Sequence, residues 1–321
     1  MVVKKRNQDQ YESLREVKNS KENLSYISNK TSFSLLSMQI PSVTLNKSRK
    51  LTSIKKEVNK EYQNKIFVHD CRDMIHLPDN SVELMITSPP YNTTKKYDEN
   101  LTLKEYLQFI EIVLKEVFRV LKSGGIIALN IANVGRKPYL PLDCFIIQIL
   151  QKIGYWIFDE IIWNKAASSG GSCAWGSWKS ATNPSLRDVH EYIILATKSG
   201  ENADLSLPFD IIDDLPSKLE NRKFSLPLNE FFSNIWEFNS ESAKRVNHPA
   251  PFPVELPYRI ILMFSKRGDL ILDPFIGSGS VAIAALIAGR NYVGYDIKQE
   301  YVDLANERIE NYLRINNKRD K

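Results

Sequence analysis

Long apolar runs are missing from this 321-residue sequence, and none approaches the roughly 18 to 20 residues that a membrane-spanning helix needs. The opening residues, MVVKKRNQDQ, carry charge with no apolar segment behind it. No secretory leader is therefore expected, no membrane partner is expected, and the cytoplasm is the expected location. Cysteine is scarce: Cys71, Cys144 and Cys173 are scattered and odd in number, giving neither a zinc spacing nor a disulfide frame. That usage points to a reducing compartment, and no metal site is expected. There is no internal repeat, no coiled-coil heptad and no nuclease motif. No glycine loop is followed by Lys-Ser or Lys-Thr, which excludes a Walker-type phosphate cradle.

What is present is ordinary in bulk and uneven in detail. Hydrophobic residues make up 43 % of the chain and charged residues 25 %, as in a soluble globular protein with a substantial core. The formal net charge of +5 is concentrated at one end. Residues 1–60 hold 13 Lys/Arg against 5 Asp/Glu, whereas the remainder holds 30 against 33. A basic arm can contact phosphates without reading bases, and it can equally be a solvated extension.

One stretch organises the rest. Leu270–Ile297 reads LILDPFIGSGSVAIAALIAGRNYVGYDI. An apolar run ends in Asp273, Gly277 and Gly279 follow, Val281–Ala288 has helical character, and Tyr292–Tyr295 leads to Asp296. This is a strand, glycine turn, helix and strand, the ligand-binding half of a doubly wound sheet. The glycines allow a tight turn and a close backbone approach to a ligand. An acid at the end of the second strand can accept hydrogen bonds from ribose hydroxyls. The spacing GSGS does not fit the G-x-G-x-x-G dinucleotide fingerprint.

Upstream, strands are expected at Ile66–Val68, Val82–Thr87, Ile126–Ile131, Trp156–Trp163 and Tyr192–Ala196. A short helix is expected over Cys71–Leu77. Leu101–Leu121 has the spacing of an amphipathic helix, with Tyr106, Ile110, Val113, Leu114, Val117 and Val120 on one face. Ser123-Gly124-Gly125 is expected to end it. Further helices are expected at Leu142–Ile153, Phe252–Phe264 and Glu300–Leu313, and Phe33–Val43 is a candidate short element. The alternation predicts an α/β fold with one mostly parallel, doubly wound sheet.

A second landmark, Thr87-Ser88-Pro89-Pro90-Tyr91-Asn92, falls at the carboxyl end of an expected strand, where open α/β sheets place ligands. Neither proline has an N–H, so the loop is stiff and offers carbonyl oxygens. Ser88 adds a hydroxyl acceptor and Tyr91 a ring that can stack on a planar base. On its own, such a string also reads as a rigid turn with a packed tyrosine.

Together the two landmarks resemble the S-adenosylmethionine-dependent DNA amino-methyltransferases, which methylate the exocyclic amine of cytosine or adenine. Residues 65–135 and 236–312, roughly half of the chain, carry the resemblance. The SPPY string precedes the DPFIGSGS loop by some 185 residues, the circularly permuted order of the family's beta group. The resemblance implies a seven-stranded methyltransferase sheet with target-recognition insertions. It implies catalysis at Ser88, Pro89, Pro90 and Tyr91. It implies cofactor contacts from Asp273, Phe275, Gly277, Ser278 and Gly279 under the methionine and ribose, from Asp296 at the ribose, and from Asp70 at the adenine. Asn247-His248-Pro249-Ala250-Pro251-Phe252 resembles the segment flanking the methionine end, so His248, Pro249 and Phe252 join that set. Two positions depart from the commonest forms: Ser88 stands where Asp is more widespread, and Phe275 precedes Ile276 where many members carry a small polar residue.

The expected organisation is a basic extension over 1–60 and a catalytic half over 61–198. An insertion over 199–234 and a cofactor-binding half over 235–321 complete it. Within the catalytic half, 165–190 is either a lid or a DNA-reading segment bearing Trp175, Trp178, Lys179 and Arg187. Its end, Arg187 to Glu191, looks like pocket wall. The resemblance implies double-stranded DNA as substrate, N4-methylcytosine as product because SPPY is the form typical of cytosine-N4 members, and a cognate restriction endonuclease as functional partner. Adenine-N6 methylation, RNA methylation and non-catalytic nucleic-acid binding remain the competing readings, and the residues leave monomer and homodimer open. None of the cysteines lies in a Pro-Cys loop, which argues against methylation at a ring carbon.

Overall fold

The computed structural model describes residues 60–91, 101–134, 139–165, 189–198, 232–241, 246 and 252–317. The expected element at Phe33–Val43, the basic extension, most of the 165–190 segment and nearly all of the 199–234 insertion lie outside the described residues. Glu57–Lys321 forms one compact unit.

Among the described residues, eight strands make one sheet: β1 (Lys65–Val68), β2 (Val82–Thr87), β3 (Leu121–Ile131), β4 (Tyr155–Asn164), β5 (His190–Lys198), β6 (Ile235–Glu237), β7 (Leu270–Asp273) and β8 (Asn291–Asp296). Their order is β1-β8-β7-β2-β3-β5-β4-β6. All neighbours are parallel except at β5, which runs antiparallel to both β3 and β4. Five α-helices accompany them: α1 (Leu103–Val120), α2 (Leu142–Ile153), α3 (Glu255–Phe264), α4 (Ser280–Ala288) and α5 (Gln299–Asn317). The α/β doubly wound class is as expected. The strand count is eight where seven were expected, because the three-residue β6 is too short to carry a period-2 pattern and is recruited by pairing Ile235–Glu237 with Ile162–Asn164.

Alternation along β2 explains the two-layered core. Leu84 and Ile86 face one cluster with α3 and α4, whereas Met85 faces the other with α1 and α2. All six residues expected on the apolar face of α1 are buried. Thr102 starts that helix with a reciprocal capping box: its side chain accepts from the Glu105 N–H and the Glu105 carboxylate accepts from the Thr102 N–H. α4 is buried on nearly every side, which suits its SVAIAALIA sequence. Pro257 is accommodated in the first turn of α3, where no intrahelical N–H is required.

Two local expectations are corrected. Cys71–Leu77 forms turns and not a helix. Side chains of α1 satisfy its backbone instead of an internal ladder: Glu116 accepts from the Met74 N–H at 2.9 Å, and Arg119 donates to the carbonyls of Met74 and Leu77 at 3.2 and 3.0 Å. Ser123-Gly124-Gly125 does not form a separate turn after the helix. α1 passes directly into β3, because Leu121 pairs with Val82 before a register shift resets the ladder at Leu84 and Ile126.

β7–α4–β8 winds toward one edge of the sheet and β2–α1–β3 toward the other. The chain direction of the crossovers therefore reverses between β7 and β2, and a crevice opens at their carboxyl ends. The loop after β7 is held there by packing on β8. A Cβ at Gly294 would lie 2.8 Å from the Ile276 Cγ1 and 2.9 Å from its Cβ. Gly294→Ala is expected to destabilise the fold by about 1–3 kcal/mol through this overpacking. Chemical denaturation checks it, and an unchanged midpoint would contradict the packing described.

Candidate active site

The residues after β7 form the floor of the crevice. Gly277 and Gly279 both occupy the left-handed region, at φ 46° and 80°, a conformation that glycine adopts without a Cβ penalty. At Gly279 an added Cβ would also sit 3.0 Å from that of Ala305. The Gly279 N–H donates to the Ile276 carbonyl at 2.8 Å, and the Ile276 N–H donates to the Tyr295 carbonyl at 2.9 Å, which ties the turn to β8. Ser278 is buried and its carbonyl accepts from Arg308 on α5. Phe252 is brought to the same place, since its carbonyl accepts from Ser280 Oγ at 2.9 Å. His248 and Pro249 lie outside the described residues.

Three acids mark the ends of neighbouring strands. Asp70 follows β1, Asp296 closes β8 and Asp273 closes β7. Their environments differ. Hydrogen bonds from the Arg72 side chain hold the Asp70 carboxyl below the usual carboxylate range. Burial pushes Asp296 upward, opposed by the N–H groups of Lys298 and Gly277. Asp273 is 1 % exposed, and burial pushes its carboxyl up to about 7. Its Oδ1 accepts from Thr87 Oγ1 at 2.7 Å and from the Phe275 N–H at 3.0 Å, while Oδ2 has no partner among the described residues.

Thr87 is the last residue of β2, so this buried hydrogen bond joins the glycine loop to the Ser-Pro-Pro-Tyr loop. Pro89 is buried, while Ser88, Pro90 and Tyr91 are half-buried. Ser88 Oγ lies 3.0 Å from the Tyr91 hydroxyl. Tyr91 donates to Glu191 Oε2 at 3.0 Å. Asn130 Nδ2 reaches the Tyr91 hydroxyl at 3.0 Å, Ser88 Oγ at 3.3 Å and Glu191 Oε2. Lys165 pairs with the other oxygen of Glu191.

The structure thus gathers Asp273, Phe275, Gly277, Ser278, Gly279, Asp296 and Phe252 around one turn, with Ser88, Pro89, Pro90 and Tyr91 across the switch point. Asp70 stands at the same sheet end, two strands from β7. Sequence reasoning missed Asn130, Lys165 and the role of Thr87. It placed Glu191 only as pocket wall. Asn130 lies within an otherwise apolar strand, GGIIALNI, and that break in hydrophobicity was the available signal.

A family model described as DNA methylase matches residues 82–307, and the chain belongs to that family. The chain is 31 % identical over 283 residues to the Type II methyltransferase M.MthZI of Methanothermobacter thermautotrophicus, across 79 % of this chain and 78 % of that one. Over 243 residues it is 32 % identical to the Type II methyltransferase M.HpaI of Haemophilus parainfluenzae, across 73 % and 70 % of the two chains. Among solved structures, the DNA modification methylase TTHA0409 of Thermus thermophilus, complexed with S-adenosyl-L-methionine, matches with a TM-score of 0.59 at 28 % identity, over 78 % of this chain and 94 % of that one. The cytosine-N4-specific PvuII DNA methyltransferase shares the fold, with a TM-score of 0.58 at 20 % identity over 76 % and 85 % of the chains.

The buried Asp273 has a consequence for stability. Its folded-state value of about 7 lies above the ordinary 3.8, so the folded protein keeps a proton that the unfolded chain has lost. This group therefore favours the fold most strongly below about pH 4, and that contribution declines as pH rises toward 7. Asp273→Asn keeps an acceptor oxygen for Thr87 and Phe275 but cannot ionise. Relative to the wild type, the variant is expected to gain stability between pH 4 and 7, by on the order of a few kcal/mol. Urea unfolding across that range measures it, and parallel pH profiles would contradict the assignment.

Proposed function

We propose that this chain transfers a methyl group from S-adenosylmethionine to the exocyclic N4 amine of a cytosine flipped out of a specific double-stranded DNA sequence. It would be a site-specific, cytosine-N4 DNA methyltransferase of the beta group. It would act in the cytoplasm and protect that sequence from a cognate restriction endonuclease. The observation that carries the reading is the juxtaposition across the switch point: a glycine loop flanked by acids on one side and Ser-Pro-Pro-Tyr on the other, linked by Thr87 and Asp273. Membership of the DNA methylase family supports the reaction class.

The residues present fit that cofactor. The left-handed Gly277 and Gly279 leave a turn without Cβ atoms, against which a ligand can lie closely. Asp296, half-buried at the end of β8, suits ribose hydroxyls, and Asp70 suits the adenine amine. Phe252, His248 and Pro249 would flank the methionine end. When bound, S-adenosylmethionine supplies an electrophilic methyl group on its sulfonium.

The chain's own residues do the rest. The target amine is a poor nucleophile because its lone pair is delocalised into the ring. Ser88 Oγ and the Pro89 carbonyl accept its two hydrogens and draw the nitrogen toward a tetrahedral form. Pro89 and Pro90 have no N–H that would compete as donors, and they keep the loop stiff. Tyr91 offers its ring to the extruded base. Positioning and electrostatics account for the rate, and no covalent adduct with the protein is required.

The choice of cytosine rests on Ser88. A serine hydroxyl is neutral and short, whereas the Asp of the adenine-N6 pattern is a charged acceptor. The cytosine ring is the smaller of the two, and SPPY is the form typical of the cytosine-N4 members that this chain resembles. Nucleosides from DNA treated with the pure protein and S-adenosylmethionine are expected to contain N4-methylcytosine, as read by mass spectrometry. N6-methyladenine as the only product would overturn the assignment.

A further inference from the structure

We infer that Glu191 is a positioning residue for methyl transfer: acting through Tyr91, it fixes the Ser88 hydroxyl so that a lone pair, and not a proton, faces the substrate amine. The inference rests on the reading above, in which Ser88 accepts from that amine.

Serine is ambiguous in this role, because its hydroxyl can donate as readily as accept. A donor turned toward an amine hydrogen would repel it. The surrounding side chains remove the ambiguity. Glu191 comes from β5, the antiparallel strand, and its side chain is only 12 % exposed. Lys165 is paired with its Oε1, so the group is a carboxylate and can only accept. The Tyr91 hydroxyl, 3.0 Å from Oε2, must therefore be the donor there. A phenol has one proton, and burial together with the Glu191 charge pushes the Tyr91 pKa well above its ordinary value, so that proton stays in place.

With its proton committed to Glu191, Tyr91 can only accept from Ser88 across their 3.0 Å contact. The Ser88 proton is then directed into the protein. Asn130, 1 % exposed, enforces the same direction. Its Nδ2 faces Glu191, Tyr91 and Ser88, and reversing the amide would set its oxygen against the carboxylate. Of the two lone pairs on Ser88 Oγ, the 3.3 Å contact from Asn130 can occupy one. The other is free for a hydrogen of the substrate amine.

Glu191→Gln tests this. A carboxamide has one acceptor oxygen and two donor hydrogens, so it cannot serve Lys165, Asn130 and Tyr91 together. Turnover on a DNA substrate is measured for the wild type, Glu191→Gln, Ser88→Ala and the double variant, with S-adenosylmethionine affinity measured alongside. Glu191→Gln is expected to lower kcat roughly tenfold or more, the scale of a hydrogen bond to a charged group. Cofactor affinity is expected to stay within about twofold, since nothing in the network touches the glycine loop. In the Ser88→Ala background the same change is expected to cost less than about twofold, because the group it orients is gone. Equal losses in both backgrounds would overturn the inference, as would full turnover in Glu191→Gln. Tyr91→Phe keeps the ring and removes the relay; it guards against a Glu191→Gln protein that fails to fold. It is expected to lower kcat, and wild-type turnover would overturn the inference. Wild-type turnover in Ser88→Ala is a different outcome: it removes the reading of Ser88 itself and the inference with it.

Discussion

A single buried hydrogen bond, from Thr87 Oγ1 to Asp273 Oδ1 at 2.7 Å, spans 186 residues of sequence and joins the two halves of the site. It sits where β2 and β7 lie side by side and the crossovers depart in opposite directions. Everything proposed about this chain requires those two strand ends to stay adjacent. The loop after β2 carries the hydroxyl, carbonyl and ring that would meet a base. The loop after β7 carries the glycine turn. A hydrogen bond to a carboxyl group largely protonated near neutrality is modest in strength, but leaving the same group buried and unsatisfied would be costly. The sheet pairing brings the strands together, and the hydrogen bond fixes the separation of their ends.

Around that junction the polar groups are sorted by burial. Asp273 is enclosed and its carboxyl is raised. Asp70 is more open and held ionised by Arg72. Asp296 lies between them in environment, drawn upward by burial and downward by amide donors. Acids at the ends of three adjacent parallel strands would repel one another if all were charged and close. The protein meets this by keeping one of them largely protonated and pairing another with a guanidinium. On the β2 side the charges are arranged differently, with one carboxylate, Glu191, placed behind a neutral chain of Tyr91, Asn130 and Ser88.

Much of this was legible in the sequence where the physical signal is local. The period of 3.6 in Leu103–Val120 placed its buried face residue by residue, and the glycine turn after LILD was visible because no other residue type takes left-handed angles so readily. The signals that failed were those decided at a distance. Residues 71–77 look helical in isolation, yet Glu116 and Arg119 from α1 take their backbone groups. The three residues of β6 have no pattern of their own, and only the free edge of β4 makes them a strand. Asn130 sits mid-strand among isoleucines, and its role appears only when β5 places Glu191 beside it. The inward direction of the Ser88 proton belongs to the same class, since it follows from a residue about a hundred positions away.

The central claim is spatial: cofactor and target base meet across the β7–β2 crevice, with the reacting methyl group facing Ser88. A crystal structure of the protein with S-adenosylmethionine tests it most directly. The account predicts the adenosyl and methionine groups along Gly277–Gly279, the ribose hydroxyls on Asp296, and the sulfonium methyl directed toward Ser88 Oγ and the Pro89 carbonyl. A cofactor bound elsewhere, or bound there with its methyl group turned away from the Ser-Pro-Pro-Tyr loop, would contradict it.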